Sequence, residues 1–181
     1  IYGHVLSPPA HAETLSQRYG LVTVFRCPKE RALSNFHMAV RNGVIPDCIE
    51  TWLYGPVGRR MCQAYLRYLS GKNTVPECDQ PTAVATAKSA LAQFSVVGFL
   101  DDLLGFQTSI KSEFGVTPPM PRYNRAPSRT WTLSDKQTQR LEELLAPDRE
   151  LYGFAEKHFR PKPSVRSENA VSASVLAKQM P

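Results

Sequence analysis

The run LVTVFR, residues 21–26, constrains the fold more than any other stretch: five apolar or β-branched residues without polar alternation, ended by an arginine. A strand of this kind is expected where helices cover both faces of a sheet. SVVGF at 95–99 is a second short run of the same type, and IYGHV at 1–5 reads as the end of a third. Helical patterns fill the spaces between them. SPPAHAETLSQRYG reads as a loop with a short helix. KERALSNFHMAVRNG stripes Leu33, Phe36, His37 and Val40, with Gly43 as its stop, and RRMCQAYLRYLSG stripes Met61, Cys62, Tyr65, Leu66 and Leu69, closed by Gly71. PTAVATAKSALAQF opens on Pro81, and DDLLGFQTSIKSEFG stripes Leu103, Phe106, Ile110 and Phe114. Beyond the Pro-rich basic loop VTPPMPRYNRAPSRTW come two closing helices, the first opened by a capping box from Ser134 to Gln137. The order strand, helix, strand, helices, strand, helices predicts a three-layer α/β protein with a small parallel sheet.

In such sheets ligands gather at the carboxyl ends of the strands, where both His4 and Arg26 fall. Ser34 follows Arg26 by eight residues, about two turns into the next helix. A guanidinium grips a phosphate with paired hydrogen bonds, a hydroxyl adds a donor, and the helix start near Pro28 offers unpaired N–H groups. The ordinary alternative is an arginine paired with a surface carboxylate and a serine facing solvent. His4 has the intrinsic pKa of a general base, and the alternative is a half-buried histidine bonded to backbone. His11, His37 and His158 are weaker candidates on a loop or beside apolar stripes.

Composition narrows the partners. A formal charge of +6 favours an anionic ligand, whether nucleotide, glycan or lipid, or else a solvated basic surface. The densest basic clusters, VGRRMC and FRPKPSVR, do not interleave with aromatics, so no nucleic-acid platform is expected. Cys27, Cys48, Cys62 and Cys78 show neither CxxC spacing nor histidines at zinc-site intervals, and no metal site is expected. Disulfides and free thiols both suit that count. From Arg160 onward the Pro, Ser and Lys content predicts a disordered tail, leaving 1–159 as the domain.

Four segments, in order, resemble the PAPS-dependent carbohydrate sulfotransferases, and most nearly the glycosaminoglycan 2-O-sulfotransferases. FRCPKERALSNF is similar to their 3′-phosphate motif, a strand ending in R-D-P, then an arginine, then a serine in the helix. YGHV resembles the G-H-V segment that carries their catalytic histidine. AKSALAQFSVVGFLDDLLGF resembles A-K-x-x-L…V-G-x-T-E-x-L, and LAPDRELYGFAEKHF resembles their closing helix. Cys27 stands where that family has aspartate, and Asp101 and Asp102 replace a Thr-Glu pair. The resemblance implies a P-loop-type sulfotransferase fold whose amino-terminal strand and lysine-bearing 5′-phosphosulfate loop belong upstream of Ile1. It therefore implies a partial catalytic domain that is inactive alone.

The resemblance also implies the roles. Arg26 and Ser34 hold the 3′-phosphate of PAPS and of its product PAP, His4 is the base, and Arg125, Ser128 and Arg129 supply further cofactor contacts. The acceptor is a hydroxyl on an anionic polysaccharide or another hydroxyl-bearing molecule. The compartment is the Golgi lumen behind an upstream anchor in a eukaryote and the cytoplasm in a bacterium. Two alternatives stand beside this: a P-loop nucleotide or sugar kinase, with Asp101 as a Mg²⁺ ligand, and a non-catalytic anionic-glycan-binding relative.

Overall fold

Residues Val22–Phe25 (β1) and Val96–Phe99 (β2) pair in parallel, Val22 beside Val96 and Phe25 beside Phe99, in a computed structural model that describes residues 9–119 and 132–160. Around this ribbon lie α1 (Pro9–Ser16), α2 (Pro28–Arg41), α3 (Ile49–Tyr54), α4 (Pro56–Cys62), α5 (Ala64–Ser70), a 3-10 turn (Glu77–Asp79), α6 (Gln80–Leu91), α7 (Leu103–Phe114) and α8 (Asp135–Phe159). The protein is α/β and mostly helical, built about a small parallel sheet. The expected strand at IYGHV, with His4, lies outside the described residues, as do Arg125, Ser128 and Arg129 and everything beyond Arg160.

The parallel pairing follows from the long helical crossover between the two runs. β2 is buried at all four positions because both its faces are covered. Val96 packs with Phe106 and Ile110 of α7 on one face. Val97 and Phe99 join Phe25, Leu66, Leu91 and Leu151 on the other. β1 departs from expectation. Phe25 points into the second of these clusters, but Val22 and Val24 remain 40% and 39% exposed. Its unbroken apolar run therefore marks one covered face, not two.

Three helical expectations are corrected. The buried line of α2 runs through Pro28, Ala32, Phe36 and Ala39, with Leu33 and Val40 only at its margin. RRMCQAYLRYLSG forms two helices, α4 and α5, that meet at Gln63. The closing segment is one helix of 25 residues with Pro147 inside it, where two were expected. An interior proline costs about 3 kcal/mol. Against that, Leu141, Leu144 and Leu145 are buried with Phe36 and Trp52, and Leu151 and Ala155 with Phe25 and Leu66. At about 1.5–3 kcal/mol for each fully buried leucine, this continuous stripe outweighs the proline.

Arg160, expected in a disordered tail, closes α8 through its N–H to the Glu156 carbonyl at 3.2 Å. Gly43, Gly71 and Gly115 take φ of +67°, +72° and +71°, which suits glycine at the ends of α2, α5 and α7. Among the described residues no helix is long and apolar enough to cross a membrane.

Candidate anion-binding site

Because β1 and β2 run parallel, their carboxyl ends open at the same edge of the sheet. Arg26 follows Phe25 there, and Leu100 and Asp101 follow Phe99. With Cys27 and Glu30 they line a cleft of about 160 Å³. α2 begins two residues after Arg26, with Pro28 in its first turn and Cys27 capping it without a side-chain hydrogen bond. Its first N–H groups are thus left to solvent or ligand, and its dipole favours an anion.

Arg26 donates from Nε to Glu30 at 3.4 Å. Among the described residues its two terminal nitrogens carry no hydrogen bond. Glu30 is largely exposed, and an exposed i,i+4 pair of this kind is worth only about 0.3–0.5 kcal/mol. A bidentate phosphate contact is stronger than that and could displace the pair, against the repulsion of the Glu30 and Asp101 carboxylates that also line the cleft. Ser34 stands one turn above Glu30 on the same line of α2, half-buried, and its hydroxyl makes no hydrogen bond among the described residues. Ser34 is not among the residues that line the cleft. An arginine fork beside a helix start is an arrangement that can hold an anion.

Asp101 is engaged elsewhere. Both its oxygens accept from Arg160 at 3.1 Å, and the Arg160 guanidinium lies over the Phe99 ring at 4.4 Å. Its neighbour Asp102 caps α7 by accepting from the Gly105 N–H at 2.9 Å. Among the described residues no cluster of acidic, histidine or cysteine side chains is arranged to hold a metal ion. The four cysteines are free thiols. A second recess, about 180 Å³, lies between α3 and α4 around Ile45, Trp52 and Val57, without a charged lining residue and sharing none with the strand-end cleft.

A buried network braces the site, and sequence reasoning missed it. Where α4 gives way to α5, the end of one helix and the start of the next leave backbone groups unpaired. Arg31 of α2 donates to the carbonyls of Met61 and Cys62 at 2.9 and 2.7 Å, closing α4. Asp148 of α8, fully buried, accepts from the N–H groups of Tyr65 and Leu66 at 2.9 Å each, opening α5, and from Arg31 at 2.8 Å. This is why the expected single helix breaks at Gln63. Burial pushes the Asp148 carboxyl up to about 6, against the pull of Arg31 and of the two N–H donors.

Tyr65 carries the brace to the cleft. Its hydroxyl accepts from the Arg26 N–H at 2.7 Å and donates to the Arg26 carbonyl at 2.8 Å. The available signal was Asp148 itself, a carboxylate on the Leu141, Leu144, Leu145, Leu151 stripe. A charge on an apolar line demands a buried partner.

No protein-family model, curated protein or solved structure matches this chain. Any likeness to the sulfotransferases rests on the segments quoted above.

Proposed function

We propose that this chain belongs to a PAPS-dependent O-sulfotransferase and forms the part that holds the cofactor's 3′-phosphate. The reaction is transfer of a sulfuryl group from PAPS to a carbohydrate hydroxyl on an anionic, glycosaminoglycan-like polysaccharide. The fold in this reading is the P-loop-type sulfotransferase fold. The observation that supports it is the place of Arg26, at the carboxyl end of β1 and lining the cleft where α2 starts, with Ser34 about two turns along that helix.

The chain's residues have simple tasks in this scheme. Arg26 grips the 3′-phosphate through its two terminal nitrogens, which carry no hydrogen bond among the described residues, Ser34 donates a further hydrogen bond, and the start of α2 supplies favourable potential. The resemblance makes His4 the base that takes the acceptor's proton as its oxygen bonds to sulfur. The sulfur–oxygen bond to the 5′-phosphate breaks in the same displacement, and PAP leaves. Catalysis of such a transfer rests mainly on in-line positioning and on stabilising charge at the leaving oxygen. Arg125, Ser128 and Arg129 are proposed as additional cofactor contacts. His4→Ala is expected to lower turnover far more than cofactor affinity.

The test is titration calorimetry of the protein carrying this chain with PAP and with adenosine 5′-monophosphate, which lacks the 3′-phosphate. PAP should bind the more tightly, and Arg26→Ala should abolish most of that preference while the fold survives. Equal affinity for the two nucleotides would overturn the reading.

A further inference from the structure

Arg26 leaves the sheet at the point where its main chain loses its ladder partner. The last strand-to-strand bond there runs from the Leu100 N–H to the Phe25 carbonyl at 2.7 Å. One residue on, the N–H and carbonyl of Arg26 both turn to a single group, the Tyr65 hydroxyl. A buried or half-buried backbone pair needs such partners, and one hydroxyl serves as acceptor and donor at once.

We propose that Tyr65 is a positioning residue for the anion site: its hydroxyl clamps the main chain of Arg26 and so fixes where that guanidinium enters the cleft. The inference rests on the phosphate reading of Arg26. The clamp is held from every side. The Tyr65 ring packs on Phe25 with centroids 4.3 Å apart, and the Arg31 guanidinium covers the ring at 4.5 Å. The Tyr65 N–H is fastened to Asp148. A phenylalanine would fill the same space, yet the hydroxyl has taken both main-chain groups of Arg26, which among the described residues is the one that lines the cleft with a cation. Burial raises the Tyr65 phenol to about 12, which keeps the proton on the oxygen and the donation to the Arg26 carbonyl intact at ordinary pH.

The line of bonds from Asp148 through Tyr65 to Arg26 ties the closing helix to the strand-to-helix turn. Cys27 holds φ −44° and ψ 124° there before α2 starts. A rotation of that turn would move the arginine out of the cleft that it lines. Precise placement of a phosphate grip depends on such support.

The experiment compares Tyr65→Phe with the unsubstituted protein, each titrated with PAP and with adenosine 5′-monophosphate. Losing the hydroxyl should weaken PAP by about tenfold, one charged-site hydrogen bond's worth, and leave the 5′-monophosphate within about twofold. A general loss of structure would weaken both nucleotides alike and would count against a positioning role. If the unsubstituted protein prefers PAP and Tyr65→Phe keeps that preference whole, the clamp is overturned while the phosphate reading stands. If the unsubstituted protein shows no preference, the phosphate reading falls and the clamp with it. Should Tyr65→Phe fail to fold, amide exchange decides the matter in the native protein. PAP should slow exchange of the Arg26 N–H by about tenfold more than the 5′-monophosphate does, and equal protection would overturn the clamp.

Discussion

Replacing Arg31 with methionine would remove the buried cation while keeping a flexible apolar side chain of similar reach. Arg31 is 11% exposed in its side chain and Asp148 not at all, so the change strips a fully buried carboxylate of its charge partner. Breaking a buried pair from one side costs about 3–5 kcal/mol. A domain of this size loses roughly 2–4 °C of melting temperature per kcal/mol, so the expected drop near neutral pH is about 6–20 °C.

The cost should depend on pH, and its sign follows from Asp148. The folded-state pKa of that carboxyl, about 6, lies above its ordinary value of 3.8. The folded state therefore binds the proton more tightly. This group's contribution to stability is complete below about pH 4 and is lost as pH rises through about 6. In Arg31→Met the strongest influence holding the pKa down is gone, so the loss extends to higher pH than in the native protein. The deficit should be largest near pH 8. Near pH 5, where the carboxyl is protonated, it should shrink to about 2 kcal/mol, the worth of the two bonds to the Met61 and Cys62 carbonyls. Urea unfolding of both proteins at the two pH values measures this. A deficit that is independent of pH, or smaller than about 1 kcal/mol at the higher value, would refute the account of the Arg31–Asp148 pair.

Arg26→Ala should be nearly neutral for stability, within about 0.5 kcal/mol in urea unfolding, because among the described residues its side chain pairs only with the exposed Glu30; a large loss would make Arg26 a structural residue. Gly98→Ala should destabilise by about 1–3 kcal/mol, since a Cβ there would run into the Phe106 ring and its own Cβ across the β2–α7 contact, and an unchanged thermal melt would show that α7 yields freely. Ser134→Ala breaks the capping box that opens α8, in which Ser134 accepts from the Gln137 N–H and Gln137 accepts from the Ser134 N–H, and should cost about 1 kcal/mol by the same melt.

The sequence by itself determined what depends on local pattern and backbone chemistry. The two apolar runs became β1 and β2, the glycines at 43 and 71 took the left-handed conformation at helix ends, and Ser134 and Gln137 formed their box. Arg26 at a strand end and Ser34 on the following helix were legible for the same reason, since both sit within one strand–helix unit. Tertiary structure decided whatever required two distant segments to meet. Only the packing of α8 on α2 and α5 could bring Asp148 to Arg31 and to the N–H groups of Tyr65 and Leu66, breaking one expected helix in two. The same packing carried α8 unbroken through Pro147. It also turned Tyr65, which reads along the chain as one more apolar stripe position, into the partner of Arg26, 39 residues away. A hydroxyl's partner is chosen by three-dimensional proximity, and no spacing along the chain records it.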